Sequence, residues 1–243
     1  GTGGNQVGSP VALKRNWANY DVVSGMGDLD GDGKADLLIR VARSGKGWVF
    51  PGNGKGGFKR PLGPIDGLDG LTSVAAANIV GSGHPDLVGL AGGRIRVAEH
   101  QGTRNLGAPI ALGSGFANTD QLLNVGDWDR DGVGDVVTRD TSGNLRLHRG
   151  VGGDKFAAPV TGFGSVDLLA AVGDVTGDGI PDLMGQPRGQ AMRVYPGKKK
   201  GLKASFVARS ALSATSQFGI GRWNADGAPD VLLRVGDWLF FAS

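Results

Sequence analysis

The sequence predicts an all-β fold, a five-bladed β-propeller with four antiparallel strands per blade, on the strength of three observations. A nine-residue acidic pattern recurs five times, beginning at residues 28, 78, 127, 174 and 222, so the period is 47–50 residues. Each period repeats the same order of short strand signals and Gly-bearing turns, with no helical periodicity anywhere. The last unit stops after its third strand, whereas Val7-Gly-Ser-Pro10-Val-Ala-Leu13 at the N-terminus resembles the outer-strand segment Leu106-Gly-Ala-Pro109-Ile-Ala-Leu112. The ring is therefore expected to close with the N-terminal strand as the outer strand of the last blade, making residues 1–243 a single domain. The opening Gly1-Thr-Gly-Gly reads as a trimmed start or one inside a longer precursor.

Within a unit, a strand of small or apolar residues comes first, as in residues 22–26, 122–125 and 168–172. Rich in Gly, Ala and Val, it suits the crowded centre of a ring. The acidic loop follows, then a second strand at residues 37–40, 87–88, 136–139, 183–184 and 231–234. A short turn leads to a third strand at residues 47–50, 94–97, 145–148, 192–195 and 238–241. A Gly-rich hairpin then reaches a fourth strand near Pro61, Pro109 and Pro159, where an outer edge tolerates the missing N–H.

The loops read Asp28-Leu-Asp30-Gly-Asp32-Gly33-Lys-Ala-Asp36, Asp127-Trp-Asp129-Arg-Asp131-Gly132-Val-Gly-Asp135 and Asp174-Val-Thr176-Gly-Asp178-Gly179-Ile-Pro-Asp182. Two copies are worn, with Val80 at the third position of one and Arg222 at the first of the other. Alternate carboxylates around a Gly turn form a compact cage of hard oxygen ligands, which suits Ca2+. An EF-hand or dockerin reading fails, because the twelfth positions are Ile39, Thr138 and Gly185 within strands, not a bidentate Glu between helices. Of the 23 acidic residues 14 lie in the five loops, leaving nine to set against 26 Lys and Arg. With the loops neutralised, the remaining surface is cationic and favours anionic partners. The chain has no cysteine, hence no disulfide and no thiolate metal site, and no apolar run of roughly 18 residues that would insert in a membrane.

Residues 26–38, Met-Gly-Asp-Leu-Asp-Gly-Asp-Gly-Lys-Ala-Asp-Leu-Leu, followed by Phe50-Pro-Gly-Asn-Gly-Lys-Gly-Gly-Phe58, resemble the FG-GAP or VCBS repeats of integrin α-subunit propellers, in the version found in secreted actinobacterial proteins. The resemblance implies that the loop joining the first two strands of a blade binds calcium. Carried over, Asp28, Asp30, Asp32 and Asp36 are side-chain ligands with the Lys34 carbonyl at position seven, and Asp127, Asp129, Asp131 and Asp135 match with the Val133 carbonyl. Asp174, Thr176, Asp178 and Asp182 with the Ile180 carbonyl form a weaker third site. The worn loops are expected to hold no metal, with the Arg222 guanidinium pairing with Asp226 and Asp230 in place of a cation. Such loops suit millimolar extracellular calcium, so secretion is expected.

Catalysis has little support. His84 lies in a worn loop, His148 aligns with Phe50, Tyr195 and Phe241 as a third-strand residue, and no Gly-x-Ser-x-Gly or His-Glu-x-x-His spacing is present. Gly52-Asn-Gly54-Lys-Gly-Gly57 lacks the helix that a phosphate loop requires. Trp48, Trp128, Trp223 and Trp238 read as packing, and Lys198-Lys-Lys200 with Lys203 as a solvated basic turn. Trp17, Phe116 and Phe163 each lie eleven residues before a loop, in the crossings between blades. They are read either as a ring of sugar-stacking platforms or as wedges of inter-blade core. The expected function is a non-catalytic, monomeric binding module for glycan or cell-wall polymer, anionic or N-acetylated, at several equivalent sites. A protein–protein adhesion module and an accessory domain of a secreted hydrolase are the alternatives; nucleic acid is not an expected partner.

Overall fold

The computed structural model describes residues 9–13, 15–80, 85–99, 110–112, 115–153, 155–163, 166, 168–221, 223–224 and 230–242, with the side chains of Leu112, Gly162 and Phe163 excepted. The described residues form five four-stranded antiparallel sheets arranged as a propeller ring. Blade 1 comprises Tyr20–Gly27, Asp36–Val41, Gly47–Phe50 and Leu62–Ile65; blade 2 comprises Ser73–Ala77, Asp86–Ala91, Arg94–Ala98 and Ile110–Leu112. Blade 3 comprises Thr119–Gly126, Asp135–Asp140, Leu145–His148 and Val160–Phe163; blade 4 comprises Ala170–Gly173, Asp182–Gly185, Met192–Tyr195 and Phe206–Arg209. Blade 4 carries an extra hairpin, Gly197–Lys198 against Gly201–Leu202. In blade 5, Ser216–Gly221, Asp230–Val235 and Trp238–Ala242 are joined on the outside by the N-terminal Val11–Ala12. That pairing sets Val11 against Phe241 and Ala12 against Phe240, and the Leu13 N–H continues it to the Leu239 carbonyl at 2.8 Å.

The buried apolar residues form five separate clusters, each between two adjacent blades. The second residue of each acidic loop points into one of them: Leu29, Ile79, Trp128, Val175 and Trp223 plug the clefts in turn. Trp128 adds a hydrogen bond from its indole N–H to the Lys198 carbonyl of blade 4, 2.9 Å away. Trp223 lies 4.8 Å from the Phe58 ring of blade 1. Both tryptophans are core, as the sequence suggested. The strand register departs from the sequence alignment in two places. Phe50, His148 and Tyr195 stand opposite Leu37, Val136 and Leu183, but the equivalent Leu87 and Val231 face Ala98 and Ala242, not Val97 and Phe241.

A second repeated device fastens four of the five blades to the segment that follows them. Arg40 is gripped by Asp21 at 2.8 and 3.0 Å and donates to the Leu68 and Leu71 carbonyls, at 2.7 and 2.6 Å. Arg139, held by Asp120, reaches the Val166 carbonyl in the same way. In blade 4 the position is Gln186, which exchanges two hydrogen bonds with the Leu212 backbone, and in blade 2 it is the apolar Leu90. Arg234 spans the last blade and the first, donating to the Tyr20 carbonyl at 2.9 Å and the Trp17 carbonyl at 3.1 Å. The Trp17 and Leu68 carbonyls also accept the amide three residues on, so there the guanidinium adds a second, charge-assisted bond to a partly buried acceptor.

Two perturbations test the join between the first and last blades. Arg234→Ala is expected to cost about 2–3 kcal/mol, from charge-assisted bonds lost at partly buried carbonyls, and to lower the Tm. Deleting residues 1–13 is expected to lower it further and promote association, because the third strand of blade 5 becomes a bare edge. A truncated protein that stays monomeric and melts with the parent would reject closure by the N-terminal strand.

Candidate metal centres

The side chain at the ninth loop position is buried in all five blades: Asp36, Asp86, Asp135, Asp182 and Asp230 are each at most 1% exposed. In blade 1 one carboxylate oxygen accepts the Leu29 and Asp30 amides at 2.9 and 3.1 Å, and the other accepts the Gly52 amide at 3.0 Å. Asp135 takes the Trp128 amide and the Gly150 amide, both at 2.7 Å, and Asp182 takes those of Val175, Thr176 and Gly197. The same loop amides meet Asp86 and Asp230 in the worn copies. The aspartate thus ties the acidic loop to the outer hairpin of its own blade. Gly52, Gly150 and Gly197 are required there, since a Cβ on any of them would lie 2.2–2.4 Å from the carbonyl of the eighth loop residue.

The first position closes the turn itself. Asp28 accepts the Asp32 and Gly33 amides, Asp127 those of Asp131 and Gly132, and Asp174 those of Gly177, Asp178 and Gly179. The fifth position turns inward on the seventh: Asp32, Asp131 and Asp178 each accept the amide of Lys34, Val133 or Ile180 at 2.9 Å. This wrapping brings carboxylate oxygens of Asp28, Asp30 and Asp36 within 4.8 Å of one another, and likewise those of Asp127, Asp129 and Asp135. The fourth blade's loop assembles no such group of three acids among the described residues, Thr176 standing where the others have Asp30 and Asp129. The third-position oxygens Asp129 Oδ1 and Thr176 Oγ1 are buried without a hydrogen-bond partner. An orphaned, buried hard oxygen beside clustered carboxylates fits an oxygen-ligated divalent cation.

Charge in these loops is divided by depth. Burial pushes the Asp36 carboxyl up to about 6 and that of Asp135 up to about 7, and raises Asp182 and Asp230 in the same direction. At the rim, Lys59 and then Lys34 hold Asp32 well below the usual carboxylate range, and Lys203 does the same for Asp178. Arg149 meets Asp129 at 3.0 Å, while Arg130 crosses to the next loop and donates to the Asp178 and Gly179 carbonyls. Lys203 therefore belongs to an acidic loop and is not the solvated basic turn expected. A cation among the inner oxygens would favour the ionised form that burial disfavours. In the worn loops, residues 81–84, Arg222 and Asp226 lie outside the described residues, so the expected Arg222 pairing does too.

The structure separates the three candidate sugar platforms. Trp17 is 1% exposed, with its ring 6.0 Å from both Phe50 and Phe58 in the wedge between blades 5 and 1. It offers no face to a ligand, so its assignment as a stacking platform is corrected to core. Phe116 has the equivalent setting: its carbonyl accepts the amide three residues on, as that of Trp17 does, and its half-buried ring lies 5.1 Å from His148. The Phe163 side chain lies outside the described residues. His148 itself is buried, hydrogen-bonded to Thr138 at 2.8 Å and pushed down to about 4 by burial.

The worn loops separate the two roles of the pattern. Asp86→Ala is expected to destabilise by about 2–4 kcal/mol, because it strands buried amides, and by the same amount with or without calcium. Asp30→Ala should destabilise in calcium and change little in chelator. Thermal melts of both variants in each condition measure this; a calcium-dependent loss at Asp86 would overturn the division.

An FG-GAP-like repeat model matches residues 28–89. No curated protein sequence matches the chain. Among solved structures, a Burkholderia pseudomallei lectin, BP39L, superposes with a TM-score of 0.59 at 16% identity over 90% of this chain and 65% of its own. An Agrocybe aegerita lectin that recognises non-reducing terminal N-acetylglucosamine gives 0.53 at 14% identity, over 88% of this chain and 60% of its own. A Photorhabdus luminescens Tc holotoxin pore chain gives 0.51 at 15% identity, over 91% of this chain and 11% of its own. The chain thus spans less than two thirds of the length of each, and identities this low speak to fold alone. The chain thus carries an FG-GAP-like repeat over residues 28–89 and folds as a five-bladed β-propeller.

Proposed function

We propose that this chain is a secreted, calcium-stabilised, non-catalytic module that binds carbohydrate or cell-wall polymer. The observation that carries the reading is the propeller fold it shares with two proteins described as lectins, one of which recognises terminal N-acetylglucosamine. The charge distribution supports it: the acids are gathered in the loops, leaving a cationic surface suited to anionic polymer. Among the described residues, His148 is buried with its ring tilted against that of Phe116, and the carboxyls of Asp36 and Asp135 are occupied by backbone amides.

Calcium would be held by Asp28, Asp30 and Asp36 in blade 1 and by Asp127, Asp129 and Asp135 in blade 3. Asp174, Thr176, Asp178 and Asp182 would form a weaker third site, and Asp32, Asp131 and the carbonyls of Lys34, Val133 and Ile180 would complete the sets. Its contribution is charge neutralisation and rigidity in the loops, and the millimolar level outside cells suits sites of this kind.

Chelation is expected to lower the Tm and added calcium to restore it; one site filled at a hundred times its Kd adds about 2.7 kcal/mol. In the same buffer, the protein is expected to bind a subset of a glycan array or insoluble cell wall. A melt indifferent to chelator would reject the metal, whereas capture of a single protein with no glycan bound would favour adhesion.

A further inference from the structure

One groove is unlike the rest of the surface. It opens on blade 1 beside the N-terminal segment and is lined by Arg15, Tyr20, Trp48, Phe50, Arg60 and Gly63, with no acidic residue among its lining. Trp48 is half-buried: it packs on the core cluster between blades 5 and 1, as the sequence suggested, and also lines the groove. Gly63 lies so close over its indole that a Cβ there would be 2.9 Å from the ring, so the outer strand pins the tryptophan in place. Arg15 lies with its guanidinium 4.7 Å from the Phe50 ring and 5.6 Å from that of Tyr20, and donates to the Tyr20 hydroxyl at 2.9 Å.

Arg40, Arg139, Arg146 and Arg149 each take a carboxylate. Arg15 and Arg60 take none among the described residues, although they share one groove. Two guanidiniums without a carboxylate partner among the described residues, in one groove with Trp48 and Tyr20, match a ring with an apolar C–H face and a carboxylate at its edge. The strand register places Arg96, Arg146, Arg193 and Phe240 where blade 1 has Trp48. The indole floor therefore occurs once in the ring, in contrast to the several equivalent sites that the repeat suggested.

We propose that this groove is a single binding site for a carboxylated sugar, a hexuronate unit of an acidic polysaccharide, with Trp48 stacking on the ring and Arg15 and Arg60 holding the carboxylate. The inference rests on the carbohydrate-binding reading and names the sugar class and the site.

Calorimetry of the full chain with trigalacturonate, its methyl ester, a hyaluronan tetrasaccharide and tri-N-acetylglucosamine tests it. Binding of at least one uronate at one site per chain is expected, weakened by salt. The ester should bind at least tenfold more weakly than trigalacturonate if that is the bound acid. Arg60→Ala, a change at an exposed side chain, should lose at least tenfold in uronate affinity with an unchanged Tm, and Arg15→Ala should do likewise. Binding of uronate that Arg60→Ala leaves intact, several equivalent sites, or preference for the neutral trimer would overturn the site while sparing the carbohydrate reading. Failure to bind any of the four, nor any glycan on an array, would overturn both.

Discussion

A buried carboxylate accepting backbone amides from two directions holds blades 1, 3 and 4 in shape, and its counterparts in blades 2 and 5 accept the loop amides. Asp36, Asp135 and Asp182 join the turn between the first and second strands to the outer hairpin, two segments that strand pairing alone leaves independent. Charge-assisted bonds to N–H donors in a dry setting are among the stronger single contacts available to a β-structure. The loop's second residue is placed by the same bonds, because its amide is one of the donors, and from there its side chain fills the cleft to the next blade. Loop, hairpin and inter-blade core are thus positioned by one side chain in each of these three blades.

This arrangement explains what the worn repeats retain. The second repeat has Val80 where the first and third have Asp30 and Asp129, yet Asp86 remains at 0% exposure with the Ile79 and Val80 amides on it. The oxygens nearer the rim answer to a different demand. Asp28, Asp30 and Asp32 serve the turn and the charge within it, and basic side chains such as Lys59 already lean on them. A loop can therefore lose its rim carboxylates residue by residue while the buried aspartate of its blade stays in place.

Much of this was legible in the sequence, because period, strand order and acidic loops are local patterns. The five sheets and the packing of Trp128 and Trp223 follow from them directly. The crossings were less legible. Trp17 and Phe116 recur at one spacing, which a ring of ligand platforms and a ring of wedges satisfy equally; only the depth of the inter-blade cleft decides, and it buries Trp17. The role of Arg40, Arg139 and Arg234 was hidden for another reason: their partners are backbone carbonyls of the next blade, which leave no mark in side-chain identity. The clue available was recurrence at the thirteenth position of three units. The fifth unit's third strand shows the limit of alignment, since the register shift that brings Ala242 opposite Val231 leaves no signal in a run of apolar residues.

At the axis, the inner strands approach so closely that side chains are excluded between them. A Cβ on Gly219 would sit 1.5 Å from the Ala171 carbonyl oxygen, and one on Gly25 would sit 2.4 Å from the Gly219 carbonyl oxygen. At these two interfaces the spacing between blades is set by the thickness of bare backbone, and a bulkier residue at position 25 or 219 would have to push neighbouring inner strands apart, opening the ring at its axis.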